Sequence, residues 1–160
     1  MSEANKALVQ RWGDEGFNKR NVSLSDEIYD QDVFYFEPAA GEVRGLEALK
    51  DFVKSWLAAF PDAQLTIDEQ VAEADRVATR WTFVGTHEGK FRGVMPTGKS
   101  IKMRAMYFYR FGGGKVVEIW AMVDSLGLLR QLGVAPPFGS AEVNLTNQSG
   151  KTSLSSAEIS

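Results

Sequence analysis

The chain has 160 residues, 44% of them hydrophobic, and a formal net charge of -3. That is enough apolar material for one domain with a real core, and an acidic balance without any basic run argues against a nucleic-acid partner. With no cysteine and a single histidine, disulfides, thiol chemistry and the usual zinc sites are excluded, so no metal is expected. The N-terminal stretch MSEANKALVQRWGDEG is charged and has no apolar signal core. No apolar run is long enough to span a membrane, so the expectation is a cytoplasmic protein with no membrane partner.

Residues 4–19 predict a helix, with Leu8, Val9 and Trp12 at helical spacing and Gly16 and Asn18 at its end. Residues 23–29 predict a short helical piece capped by Ser23 or Ser25. The alternation from Asp32 to Glu37 reads as a strand that Pro38 stops, and residues 41–45 read as a turn. The clearest helix runs from Leu46 to Phe60, where Leu46, Leu49, Phe52, Val53, Trp56, Leu57 and Phe60 form one stripe before Pro61 ends it. The period then changes to two. Strands are expected over residues 64–74, 77–87, 100–111 and 115–124, with Trp81 and Phe83 on one side of the second. A turn at Asp75-Arg76 and a Gly- and Pro-rich connection over 88–98 separate the first three, and the triple glycine 112–114 closes a hairpin between the last two. No helix start follows those glycines, so they are not a phosphate loop.

Helices followed by long antiparallel strands imply an α+β domain over residues 1–134. So many aromatics require the sheet to curl around the helices as a cone with one open end. Residues 135–160, rich in Ser, Thr, Asn and Gly, read as a mobile polar tail.

The stretch KVVEIWAMVDSLGLLRQLG, residues 115–133, organises the functional reading. Alternation puts Val117, Ile119, Ala121 and Val123 on one apolar face, expected to be core. Glu118, Trp120, Met122 and Asp124 share the other, an unusual mix of carboxylates and large apolar groups. A two-residue Gly113-Gly114 turn, the commoner hairpin geometry, sets Tyr109 opposite Glu118, Tyr107 opposite Trp120, Ala105 opposite Met122 and Met103 opposite Asp124. The expected pocket is then aromatic and holds an unpaired aspartate. A three-residue loop instead brings Arg104 and Lys102 beside Met122 and Asp124, which would pair the aspartate and disable it as a base. Asp124 also directly precedes a helix, and an aspartate is a favoured N-cap. The cap and the catalytic reading both stand.

An ordered set of short pieces carries a family likeness. They are Ala59-Phe60-Pro61-Asp62, Gly85-Thr86-His87-Glu88-Gly89 with Phe91 and Gly93, and Pro96-Thr97-Gly98-Lys99. Arg110, Gly114-Lys115, Glu118, Trp120, Asp124 and Gln131-Leu132-Gly133 follow. From about residue 4 to residue 133 the chain resembles the SnoaL-like polyketide cyclase (ester cyclase) group of the NTF2-like superfamily. The resemblance implies a cone-shaped, curved antiparallel sheet packed against N-terminal helices, and a homodimer packed through its sheet. It further implies an intramolecular aldol ring closure of a polyketide-like substrate with neither metal nor cofactor, and Asp124 as acid/base. Relatives often carry a histidine beside the last-strand tryptophan or on the strand before; here those places hold Ile119 and Tyr107 or Phe108.

Burial against Trp120 and Met122 would raise the proton affinity of Asp124, and a phenol such as Tyr107 could donate to the enolate oxygen. Met103, Tyr35, Trp56 and Phe60 are further candidates for contact with a hydrophobic small molecule, though tryptophans are commonly plain core. His87 either holds the loop after it or touches ligand, and Arg80 is read as pairing with an acid inside the cone. Two other functions compete. One is a non-catalytic binder of a hydrophobic ligand. The other is an epoxide hydrolase, which needs an arginine between two acids, whereas Thr82 stands beside Arg80 where an acid is required.

Overall fold

The computed structural model describes residues 2–134; the tail expected over 135–160 lies outside the described residues. Helix α1 (Ser2–Arg11) runs into a π-helical turn (Trp12–Phe17), so the expected single helix ends in a wider coil. A 3-10 turn (Val22–Leu24) leads into α2 (Ser25–Ile28), which has no side-chain cap. The Ser25 hydroxyl donates back to the Val22 carbonyl instead of capping, and the next residue, Tyr29, already starts a strand. Strands β1 (Tyr29–Glu37) and β2 (Gly41–Arg44) form a hairpin where only a turn was expected after Pro38. Helix α3 (Leu46–Ala59) buries Leu46, Leu49 and Trp56 of its predicted stripe, together with Ala59. Strands β3 (Gln64–Glu73), β4 (Arg76–Thr86), β5 (Ser100–Gly112) and β6 (Lys115–Val123) follow, and α4 (Ser125–Leu132) closes the described chain.

The six strands form one open sheet in the order β2-β1-β6-β5-β4-β3. It is mixed rather than wholly antiparallel, because β1 runs parallel to β6. The physical reason is connectivity: after the β1–β2 hairpin, α3 carries the chain to the far edge, and three antiparallel passes bring β6 back alongside β1. The inner face of the sheet packs on α1, the π-helical turn and α3, giving the α+β cone.

The β5–β6 hairpin decides which side chains enter the cone. Gly113 and Gly114 both take positive φ, 59° and 78°, and Gly112 pairs with Lys115 as expected for a two-residue turn. Next Phe111 pairs with Val116, but Arg110 pairs with Glu118. Val117 is an extra residue, a β-bulge, and every pair beyond it is shifted by one. Tyr109 therefore opposes Ile119 and Tyr107 opposes Ala121 on the inner face, while Phe108 opposes Trp120 and Met106 opposes Met122 on the outer face. The inward face of β6 is the apolar one, and the Trp120/Met122 face points away from the cone.

Two aromatic-rich clusters fill the interior. One, around Trp12, Tyr29, Trp81 and Tyr109, sits under α1; the other, around Phe17, Trp56, Phe60 and Phe83, sits under α3 and α4. The Trp81 indole donates to the Tyr109 hydroxyl at 3.2 Å, so both polar tips stay satisfied in the core. Asn18 clamps the edge strand by exchanging two hydrogen bonds with the Leu65 main chain, at 2.8 and 2.7 Å.

The long β4–β5 connection is anchored where Glu88 N–H and Gly89 N–H both donate to the Ala59 carbonyl at 3.0 Å. A Cβ at position 89 would stand 2.1 Å from the Ala58 carbonyl oxygen, a backbone atom with no room to retreat. Gly89→Ala is therefore expected to cost about 2–3 kcal/mol, measured as a lower urea midpoint at unchanged slope. A wild-type midpoint would show that the connection is not seated on α3 this way.

Candidate active site

Between α3 and the inner sheet face lies a cavity of about 80 Å³, walled by Trp12, Phe17, Tyr35, Trp56, Trp81, Met103, Tyr107 and Tyr109 among others. Alternation places these groups. On β5, Met103, Tyr107 and Tyr109 fall on the inward positions, and on β1 the inward set is Val33, Tyr35 and Glu37. The walls are rings, a thioether and aliphatic side chains such as Leu49, Val53 and Ile119, so the space is apolar apart from the tyrosine hydroxyls and the indole N–H.

Next to the Tyr35 wall, outside the cavity lining itself, is the one carboxylate of the described residues that is buried. Glu37, the last residue of β1, has no exposed surface. Arg92 Nη2 donates to both of its oxygens, at 3.1 and 3.2 Å, and the Tyr35 hydroxyl lies 3.4 Å from Oε2. The Tyr107 hydroxyl is 3.5 Å from that of Tyr35. A carboxylate, a guanidinium and two phenols thus meet at the edge of an aromatic hollow. Arg92 comes from the β4–β5 connection, in a tight turn where Phe91 and Val94 exchange main-chain hydrogen bonds at 2.9 and 2.8 Å. Its guanidinium lies over the Phe91 ring at 5.0 Å and the Trp56 ring at 5.6 Å.

The residues expected to form the site are divided by the fold. Tyr35, Tyr107, Trp56 and Met103 do line the cavity, and Phe60 is wholly buried beside it in the core. Trp120 and Met122 do not: they are 47% and 66% exposed on the outer face, put there by the Val117 bulge. Glu118, half-buried on the same face, pairs with Arg110 at 2.7 Å and accepts from the Trp120 indole. Those contacts, Arg110 first, hold its carboxyl below the usual range. Asp124 is exposed, and its carboxylate accepts from Gly127 N–H at 2.9 Å as the N-cap of α4. Its main-chain N–H donates to the Arg104 carbonyl at 3.2 Å, the neighbour that the shifted register supplies. Arg80 lies outside the cone because Trp81 points in, and it pairs with Asp68 at 3.7 Å and Glu69 at 3.5 Å.

His87 is buried and holds the following loop. Its main chain bonds Lys99 and Gly98, and Thr97 N–H donates to Nδ1 at 3.2 Å. Nε2 is buried and has no hydrogen-bond partner among the described residues. Among the described residues no group of three or more His, Asp or Glu is placed to hold a metal, and no helix is long and apolar enough to cross a membrane. Sequence reading missed Glu37 and Arg92. The signal for Glu37 was its two-residue spacing from Tyr35; nothing local pointed to Arg92, which meets it across 55 residues.

The four tyrosines of the chain, Tyr29, Tyr35, Tyr107 and Tyr109, all lie in this interior. Burial is the leading cause that pushes each phenol up, Tyr107 to about 12. A raised folded-state value means that the native protein keeps protons the unfolded chain releases above its ordinary value of 10.0. The stabilisation is complete below that pH and is lost above it, at about 1.4 kcal/mol per pH unit for each phenol. Alkaline titration should therefore show tyrosinate absorbance appearing only together with loss of tertiary circular dichroism. Tyrosines that ionise near pH 10 in an intact fold would contradict this.

The SnoaL-like polyketide cyclase family model matches residues 7–132. Among solved structures, AclR from Streptomyces galilaeus, provisionally named a hydroxylase, is 33% identical and superposes with a TM-score of 0.76. That match covers 85% of this chain and 100% of AclR. IdmH from Streptomyces antibioticus, provisionally named a polyketide cyclase, is 30% identical with a TM-score of 0.72, over 81% of this chain and 99% of its own. A protein from Acidithiobacillus ferrooxidans, also provisionally named a polyketide cyclase, is 29% identical with a TM-score of 0.72, over 83% and 96%. No curated protein sequence matches. The aromatic cone, its NTF2-like fold and the family match over most of its length agree: the chain belongs to the SnoaL-like polyketide cyclase family.

Proposed function

We propose that this protein closes a ring in a polyketide-like small molecule by intramolecular aldol addition, with Glu37 as acid/base. The observation that carries the reading is a fully buried carboxylate hydrogen-bonded to Tyr35, a wall of the aromatic cavity. A carbon between two carbonyls gives its proton to a Glu37 oxygen. The resulting enolate carbon bonds to a second carbonyl carbon of the same molecule, and the alkoxide so formed takes the proton back. The atoms balance within the substrate, so the step consumes no metal or cofactor. Tyr35 and Tyr107 stay protonated and supply hydrogen bonds to the enolate oxygen. A cavity of about 80 Å³ has to widen to take the substrate, and holding the flexible chain folded there would lower the entropic part of the barrier.

Asp124 is the competing acid/base, favoured by its place at the end of β6, although it would have to leave its cap and turn inward. Two variants separate the assignments, using a synthetic triketone whose ring closure is followed by NMR. Glu37→Gln should slow closure by roughly 10²–10⁴-fold. Asp124→Asn, which keeps a good cap, should keep near wild-type rate and stability. The opposite pattern would move the base to Asp124. Unchanged binding with no closure in any form would leave a hydrophobic-ligand binder. The outward placement of Arg80 gives the epoxide hydrolase reading no support.

We also infer a homodimer through the outer sheet face. Phe34 and Phe36 pack on Trp120, and Phe108, Met106 and Met122 extend the patch around a groove of about 610 Å³. A contiguous apolar surface of this kind is unusual on a monomer, and it is self-complementary in the way a two-fold contact needs. Sedimentation should give a dimer for the wild type and a monomer for the Met106→Glu/Met122→Glu double variant. A monomeric wild type would end this inference.

A further inference from the structure

We propose that Arg92 is an anion receptor, and that the Glu37–Arg92 pair is a resting state which a ligand oxyanion on a planar apolar body opens by taking the guanidinium. This rests on the catalytic reading of Glu37 and adds the event that frees the carboxylate.

The donor inventory is the first argument. A guanidinium carries five N–H groups in a fork suited to two parallel bonds with a carboxylate. Here Nη2 alone serves both Glu37 oxygens, which is not that geometry. Nε and Nη1 have no partner among the described residues, and the Arg92 side chain is 29% exposed where that of Glu37 is 1% exposed. The unused edge of the fork is open to a second acceptor. Its plane is set by the rings of Phe91 and Trp56, and Trp56 is also a cavity wall. A planar ligand in the cavity would thus present an oxyanion at a site already oriented for it.

The backbone is the second argument. Arg92 has φ +46° and Gly93 φ +83°, so both central residues of the Phe91–Val94 turn are left-handed. Asparagine or glycine is favoured there, and another side chain costs on the order of 1–2 kcal/mol. An arginine is kept at this position against that cost, on a connection pinned by Ala59 at one end and by His87 and Thr97 at the other. The third argument is charge. A buried carboxylate that loses its counter-charge gains a proton more readily. Binding of the anion and activation of the base would then be one event.

The test uses the full chain with benzoate and its neutral isostere benzamide, titrated by calorimetry and by tryptophan fluorescence. Wild type should bind benzoate about tenfold more tightly than benzamide. Arg92→Gln should abolish the preference. Arg92→Lys, which keeps the charge without the fork and guards against a folding defect, should retain part of it. Glu37→Gln removes the competing carboxylate and should tighten benzoate binding. Equal binding of the two probes by wild type, no binding of either, or weaker benzoate binding in Glu37→Gln would overturn the inference. Ring closure surviving in Glu37→Gln, with the benzoate preference intact, would overturn the catalytic reading alone. A Glu37→Gln protein that is inactive while benzoate shows no preference would overturn the receptor alone.

Discussion

Val117 has no partner across the β5–β6 hairpin, and that single unpaired residue sets the inner face of the cone. The glycine turn before it is regular. The bulge after it moves the rest of β6 by one position and so turns Ile119, Ala121 and Val123 inward beside Tyr109, Tyr107 and Ala105. Small apolar side chains on β6 leave space in front of the tyrosines of β5. Had Trp120 and Met122 turned inward instead, they would have filled that space, and β6 would have shown Ile119, Ala121 and Val123 on the outer face. The open space in the cavity and the place of Trp120 and Met122 in the outer apolar patch are therefore two results of one bulge.

The buried ion pair beside the cavity follows a different logic. An apolar hollow cannot hold a carboxylate without a partner, because desolvation of an isolated charge is too costly. Glu37 is carried inside by strand alternation with Tyr35, and its partner arrives from a connection far along the chain. That connection is held on three sides: by the Ala59 carbonyl, by His87 through Thr97, and by the rings of Trp56 and Phe91 beneath the guanidinium. The partnership is asymmetric, a dry carboxylate facing a guanidinium that still reaches solvent.

Asp124 illustrates how one residue can satisfy a sequence pattern and serve structure. It ends β6, starts α4 and accepts from Gly127 N–H. A Cβ at position 127 would strike the Asp124 carboxylate, so the glycine and the aspartate fit each other as a cap. The pattern that places an aspartate there is explained by this role whether or not the reaction also uses it.

Much was legible in the residues alone. The stripe on α3, the two-residue periods of β3 to β6, the glycine hairpin and the ordered family pieces are local signals, and the elements lie within a few residues of where those signals put them. The parallel contact of β1 with β6 and the bulge at Val117 were not legible. Each depends on how strands distant in the chain settle together, and a period-two pattern is the same in either register. For the site, Tyr35, Tyr107, Trp56 and Met103 could be found as inward aromatic or thioether positions, whereas Trp120 and Met122 could not be told from them. By itself the sequence determined the elements, the fold family and the apolar character of the cavity walls, because these follow from spacing along the chain. Only the tertiary structure decided which face of β6 is the inside and that Glu37 meets Arg92, because both are fixed by packing between segments the sequence keeps far apart.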